Sequence, residues 1–411
     1  MVDDPLLLAR LQFALTAGTH YLFVAFTLGL APFLLFGQLS ATLRGDAGRM
    51  LGVRFWGGLY VVNYGMGVLS GIVMELQLAT GWKGLNEVFG YTFGAPLAVE
   101  TMGAFFLEST FLGLWVFGWD RMGRWTHLSC LAVVTATAYA SAFWVLVANG
   151  FLRHPSGIRM QDGTAVLTNP AALLAFGHVT VSALLLGGLV TAAVSAYHLS
   201  RGHDPHGIYR RGVHSGLAVI TAAALPTVAL GGSQHVLDQR PPPASGLTYS
   251  ATEIARIEDA YGATATAAVF GHLGYAVMVL SWLLVVGVAG VGAVVWLLGG
   301  LRRWRWFHWT LVFSPVLAFT ASIGGWVYRE TDRQPWAVTH LLTTADARTE
   351  MSAGAAAASA LLFTLAFLVL ATVTYRLLVR FARRGPYGGP LAPPTEHTEH
   401  TDGTQPPEPV L

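Results

Sequence analysis

Charge is scarce in this chain of 411 residues: 11% are charged and 54% hydrophobic, which leaves too little polar surface to coat a water-soluble fold of that length. Cysteine is scarcer still. Cys130 stands alone, so an intrachain disulfide is excluded and its expected role is packing, and no C-x-x-C-H motif exists to attach a heme covalently. Lysine is limited to Lys83, and the formal net charge is only +2. The arginines gather at predicted helix ends, so nucleic acid is excluded as a partner. No small-residue cleavage site follows the first apolar run, and the sequence predicts no removable signal peptide. No inverted repeat of interrupted helices is visible either, which weighs against a transporter built on intramembrane carboxylates.

What the chain does have is apolar runs of about 20 residues from end to end. They predict an all-α polytopic membrane protein of nine helices, approximately 12 to 39, 56 to 80, 95 to 118, 126 to 150, 171 to 199, 212 to 231, 265 to 298, 305 to 329 and 353 to 382. With the N-terminus outside, fifteen of the twenty-four basic residues fall in inner loops or helix ends, among them Arg44, Arg121, Arg211, Arg303 and Arg384. The positive-inside rule therefore places the N-terminus outside and the C-terminus in the cytoplasm. Residues 1–384 form the membrane domain and 385–411 a disordered cytoplasmic tail, where His397 and His400 read as solvated. The segment 232–265, with its Pro run and amphipathic EIARIEDAY, is the one sizeable outer piece expected.

Two carboxylates stand out in GAPLAVETMGAFFLEST, where an ionised group inside a bilayer costs about 3 kcal/mol unless paired or hydrated. On a regular helix Glu100 and Glu108 project within roughly 80° of each other and about 12 Å apart along the axis, so both can face one cavity. Either they are packing glue paired with arginine, or they line a proton relay or cofactor pocket. Projected on the membrane normal, His20, Glu75, Glu100, His178, Met278 and Glu330 share the outer half, with Glu108 deeper. His, Met and carboxylate are the side chains that ligate heme iron or pass protons, so the pattern reads as a multi-heme redox site near the outer face.

The stretches RLQFALTAGTH, GAPLAVE, FFLEST, GWDR, WVLVANG, the helix of His178 and W-x-x-x-E-x-x-R-Q-P-W at Trp326 to Trp336 resemble subunit I of cytochrome bd-type quinol oxidases. The resemblance spans most of the chain. It implies that His178 and Met278 ligate a low-spin heme b, and that His20 and Glu330 ligate two high-spin hemes. Which of these is heme d, or whether a third heme b replaces it, stays open. It further implies Glu100 and Glu108 beside the oxygen site and on the proton route, with Trp326 and Arg333 packed near the hemes. The implied activity is quinol oxidation at the outer face and reduction of oxygen to water with cytoplasmic protons, in a bacterial cell membrane. The implied partners are a subunit II and a small single-helix subunit.

Departures concentrate at the donor site. The outer loop is short, its opening Gly-Asp is here Gly231-Gly232, and Glu253 replaces the family's loop lysine, leaving Glu258 as the candidate quinol residue. Ala276 replaces an Arg near Met278, and Asp332 replaces the Gly of G-R-Q-P-W. A bd-like redox protein with another donor or acceptor is the rival reading.

Overall fold

The computed structural model describes residues 4–155, 166–238, 249–262 and 265–393. Among them, nine helices are long and apolar enough to cross a membrane, as the hydropathy predicts. They are α1 (Pro5–Arg44), α2 (Ala47–Gly81), α3 (Lys83–Phe117), α4 (Arg124–Arg153), α5 (Pro170–Ser200), α6 (Ile208–Asp238), α8 (Ala265–Leu297), α9 (Arg305–Asp332) and α10 (Ala353–Arg384). A short helix, α7 (Ala251–Gly262), precedes α8. The turns are written in the sequence. Asp4, Asp46, Asn169 and Ser352 cap the starts of α1, α2, α5 and α10 with side-chain oxygens, satisfying amides that a helix start leaves open. Gly45 closes α1 with φ of 62°, a conformation that glycine adopts without strain.

Several ends differ from the apolar runs. Helix α3 begins at Lys83, because KGLNEVFGYTF is a polar-faced extension that hydropathy undercounts, and α6 continues through Gly231-Gly232 to Asp238. Residues 239–248 and 263–264 of the predicted outer segment lie outside the described residues. That segment is not the one ordered piece beyond the helices. Strands β1 (Trp336–Val338) and β2 (Leu342–Thr343) form an antiparallel hairpin, buried against Phe89, Phe151 and Leu152. In the predicted tail, residues 385–393 fold back on the bundle and bury Leu391 in the main core; 394–411, with His397 and His400, lie outside the described residues.

Close packing fixes the heights of the helices. Gly29 on α1 and Gly187 on α5 meet backbone to backbone, where a methyl group would strike the opposite carbonyl, the small-residue contact that membrane helices use in place of hydrophobic drive. Gly274 on α8 and Gly324 on α9 make a second such crossing, one helical turn from Met278.

Candidate functional site

Pro96 lies inside α3, and a π-helical turn follows over Glu100–Phe105. A π-turn inserts one extra residue, so the eight positions from Glu100 to Glu108 rotate like seven and bring the carboxylates to about 20° from alignment instead of 80°. Neither has a basic partner within ion-pair distance among the described residues, so the packing-glue alternative has no support here. Glu108 is 5% exposed, and its hydrogen-bond partner is the Tyr60 hydroxyl at 3.5 Å. Glu100 accepts from Ser141 Oγ at 2.5 Å, and the Thr101 hydroxyl lies 3.1 Å from Glu100 Oε2 and 2.9 Å from Glu75 Oε1. With one proton between two carboxylates, Thr101 can satisfy only one of them at a time.

His20 packs between α1 and α2, its Nδ1 at 3.0 Å from Ser70 Oγ and its ring against Gly71, where a Cβ would sit 3.0 Å from Cε1. His178 is seated in a similar way on α6: Nδ1 donates to the Thr227 carbonyl at 3.0 Å, and a Cβ at Gly231 would sit 3.1 Å from its Cε1. A carbonyl can only accept, so His178 carries its proton on Nδ1 and presents the Nε2 lone pair. For both rings, Nε2 has no hydrogen-bond partner among the described residues. Tethering one ring nitrogen is how proteins orient the other toward a metal.

Met278 lies against α9, with Sδ 2.9 Å from where a Cβ on Gly325 would be. The next residue, Trp326, stacks on Tyr21 of α1 at 6.2 Å between ring centroids, and its indole N–H is buried with no partner among the described residues. One turn on, Glu330 pairs through Oε2 with Arg333 at 2.5 Å. That pairing uses Oε2 and leaves Oε1 open as a donor atom. Arg333 also donates to the Ala337 carbonyl, which ties the end of α9 to the β-hairpin.

Sequence reasoning missed the cation at the centre of this end of the bundle. Arg329 bonds Asn149 Oδ1 at 3.1 and 2.8 Å and Gln234 Oε1 at 2.8 Å, joining α4, α6 and α9, and its charge reaches His178, Tyr21 and Glu330. Arg153 donates to the Arg329 carbonyl at 2.8 Å and pairs with Asp332 at 2.6 Å. The departure Asp332 thus has a partner inside the fold; Ala276 has no structural explanation. The arginine-rich α9 end was the signal available in the sequence.

At the predicted donor site, Glu253 is exposed but its carboxylate is engaged locally. Its carboxylate accepts from Ser250 N at 2.9 Å and Oγ at 2.7 Å, while Glu253 N bonds Ser250 Oγ at 3.3 Å, a capping box that starts α7. Glu258, one side of the helix further on, accepts from Trp336 Nε1 at 3.1 Å and lies 3.0 Å from His340 Nε2. Among the described residues no three His, Cys, Asp or Glu side chains converge as a metal cluster; the single donors suit an iron whose other ligands come from a macrocycle.

The family described as cytochrome bd terminal oxidase subunit I matches residues 8–242 and 244–386. Among curated relatives, cytochrome bd ubiquinol oxidase subunit 1 of Bacillus subtilis is 28% identical over 92% of this chain and 94% of its own length. The cytochrome bd-II ubiquinol oxidase subunit 1 of Escherichia coli is 36% identical over 56% of this chain and 46% of its own length. A putative cytochrome bd menaquinol oxidase subunit I of Bacillus subtilis is 26% identical over 93% and 98%. The solved bd oxidase of Geobacillus thermodenitrificans shares the fold, with a TM-score of 0.78 at 24% identity over 93% of this chain and 99% of that one. A match of the family over nearly the whole membrane region, on nine apolar helices, identifies this multi-pass bacterial membrane protein as a member of the cytochrome bd terminal oxidase subunit I family.

Proposed function

We propose that this chain is the heme-carrying subunit of its terminal oxidase, taking electrons from quinol at the face where α1 begins and reducing oxygen to water with protons drawn from the cytoplasmic face. The observation that carries the reading is the pair of imidazoles, His20 and His178, each tethered through Nδ1 and each leaving Nε2 without a protein partner. The residues fit the cofactor: glycines stand against both rings, and Trp326, packed on Tyr21 and Gly18 of α1, offers an unpaired buried N–H. His178 and Met278 would hold a low-spin heme b, and His20 and Glu330 one high-spin heme each, either two hemes b or a heme b and a heme d. When bound, such hemes supply one-electron iron chemistry and, at an open axial position, a site for a diatomic ligand.

The chain's own residues handle the protons. Glu108, enclosed with Tyr60, receives a proton from the cytoplasmic side, and the π-turn aligns it with Glu100 at the oxygen site. Arg329 and Arg333 keep the α9 end cationic. Subunit II and a small single-helix subunit would cover apolar side chains that α3 and α10 expose, such as Met102, Phe106, Leu362 and Leu368.

At the donor site, Glu258 is the proposed proton acceptor from quinol, with His340 relaying. The two Bacillus relatives carry different quinols in their descriptions, ubiquinol and menaquinol, and the quinone used here follows from experiment. A non-quinol donor is the second reading, favoured by Glu253, which is committed to its cap and offers no cation to a quinol oxygen. Anaerobic reduction of the hemes by ubiquinol and menaquinol analogues tests the choice. Rapid reduction that slows in Glu258→Gln supports the quinol site; no reduction by either, with hemes and subunit II present, overturns it.

A further inference from the structure

Ser70 is completely buried on α2, and its hydroxyl has two neighbours. One is the Gly67 carbonyl, 2.9 Å away and one turn back on the same helix. The other is His20 Nδ1 at 3.0 Å. The hydroxyl's single proton is aimed at the Gly67 carbonyl, which can only accept. The hydroxyl oxygen is then left to accept, and Nδ1 of His20 must be the donor. The tautomer with the proton on Nδ1 and the lone pair on Nε2 follows from this bookkeeping.

We infer that Ser70 is the positioning residue for His20: it fixes the ring's tautomer and rotation and sets how strongly Nε2 donates to a metal. The inference rests on the reading of His20 as a heme ligand. Gly71 completes the seat, because a side chain there would meet the ring edge at 3.0 Å. The contrast with His178 gives the seat a function. His178 donates to a backbone carbonyl, a good acceptor that no substitution removes. His20 donates to a side-chain hydroxyl, an acceptor that a single substitution removes. An acceptor on the distal ring nitrogen raises the basicity of the metal-bound one, so loss of the Ser70 hydroxyl weakens His20 as a donor.

The test uses the complete oxidase complex and the iron–imidazole stretching band of its ferrous high-spin heme, read by resonance Raman spectroscopy. In Ser70→Ala the band moves to lower frequency and broadens, and retention of that heme falls about 10-fold, while the heme at His178 keeps its spectrum. Ser70→Thr restores the wild-type band. Ser70→Cys, which fills the same space with a poorer acceptor, shifts the band in the same direction as alanine and serves if the alanine variant does not assemble. His20→Ala separates the two layers of the argument. If it leaves every heme in place, His20 is no ligand and the inference falls with that reading; if it removes one heme while Ser70→Ala and Ser70→Cys leave the band unmoved, the role of Ser70 alone is overturned.

Discussion

Glu108 combines deep burial, a hydroxyl neighbour and the lack of any cation at ion-pair distance among the described residues, the conditions under which a carboxyl trades protons instead of locking into a pair. Glu108→Gln keeps its shape and removes the exchange. Oxygen consumption is expected to fall about 100-fold or more with the heme spectrum retained; wild-type turnover would remove Glu108 from the proton route. Met278→Leu tests the axial pair: the thioether is lost at nearly constant volume, so the low-spin signal should become high-spin while the other hemes are spared. An unchanged low-spin spectrum would transfer the ligand to another residue, with His272 examined first. Both residues were singled out from the sequence, Glu108 as a carboxylate inside an apolar run and Met278 through the family resemblance. Ser70, Thr227 and Arg329 were not. Their roles depend on which residue of another helix they face, and hydropathy carries no information about rotation between helices.

At the scale of the element, the π-turn in α3 shows how much a local irregularity decides. Regular α-geometry would leave Glu100 and Glu108 about 80° apart, whereas one inserted residue brings them nearly into line. Deleting Gly103 should restore a regular helix with Glu100 and Glu108 seven positions apart, which keeps the carboxylates about 20° from alignment. Helix content measured by circular dichroism and turnover are both expected to persist; a collapse of turnover with helix content retained would show that the π-turn matters for something other than the alignment. Helix α7 offers a second test. Hydrogen bonds from Ser250 hold the Glu253 carboxyl below its usual range, so the cap is fully present above the ordinary glutamate pKa and is lost as pH falls through the lowered folded value. Protection of the first-turn amides of α7, measured against their intrinsic exchange rates, should therefore fall in acid, and that fall should be absent in Glu253→Gln. The lysine-to-glutamate departure looked from the sequence like a change in donor chemistry. The fold assigns it to the capping box, visible as Ser250-x-x-Glu253 once a helix is known to start there.

Across the whole molecule, nine helices were readable because the bilayer demands about 20 apolar residues per span, a constraint strong enough to survive errors at the ends. What escaped was what lies beyond the apolar runs: the polar start of α3, the continuation of α6, the β-hairpin, and the segment 385–393 that buries Leu391. Those pieces are held by contacts across the chain, such as Thr339 N to the Leu152 carbonyl at 3.0 Å, which no local pattern announces. The account as a whole stands on hemes being bound by this chain through His178 and His20. The most direct measurement is the reduced-minus-oxidised absorption spectrum of the purified complex, compared with His178→Ala. The account predicts low-spin and high-spin heme bands in the wild type and loss of the low-spin b component alone in the variant; a wild-type complex without heme bands, or a variant with its low-spin band intact, would contradict it.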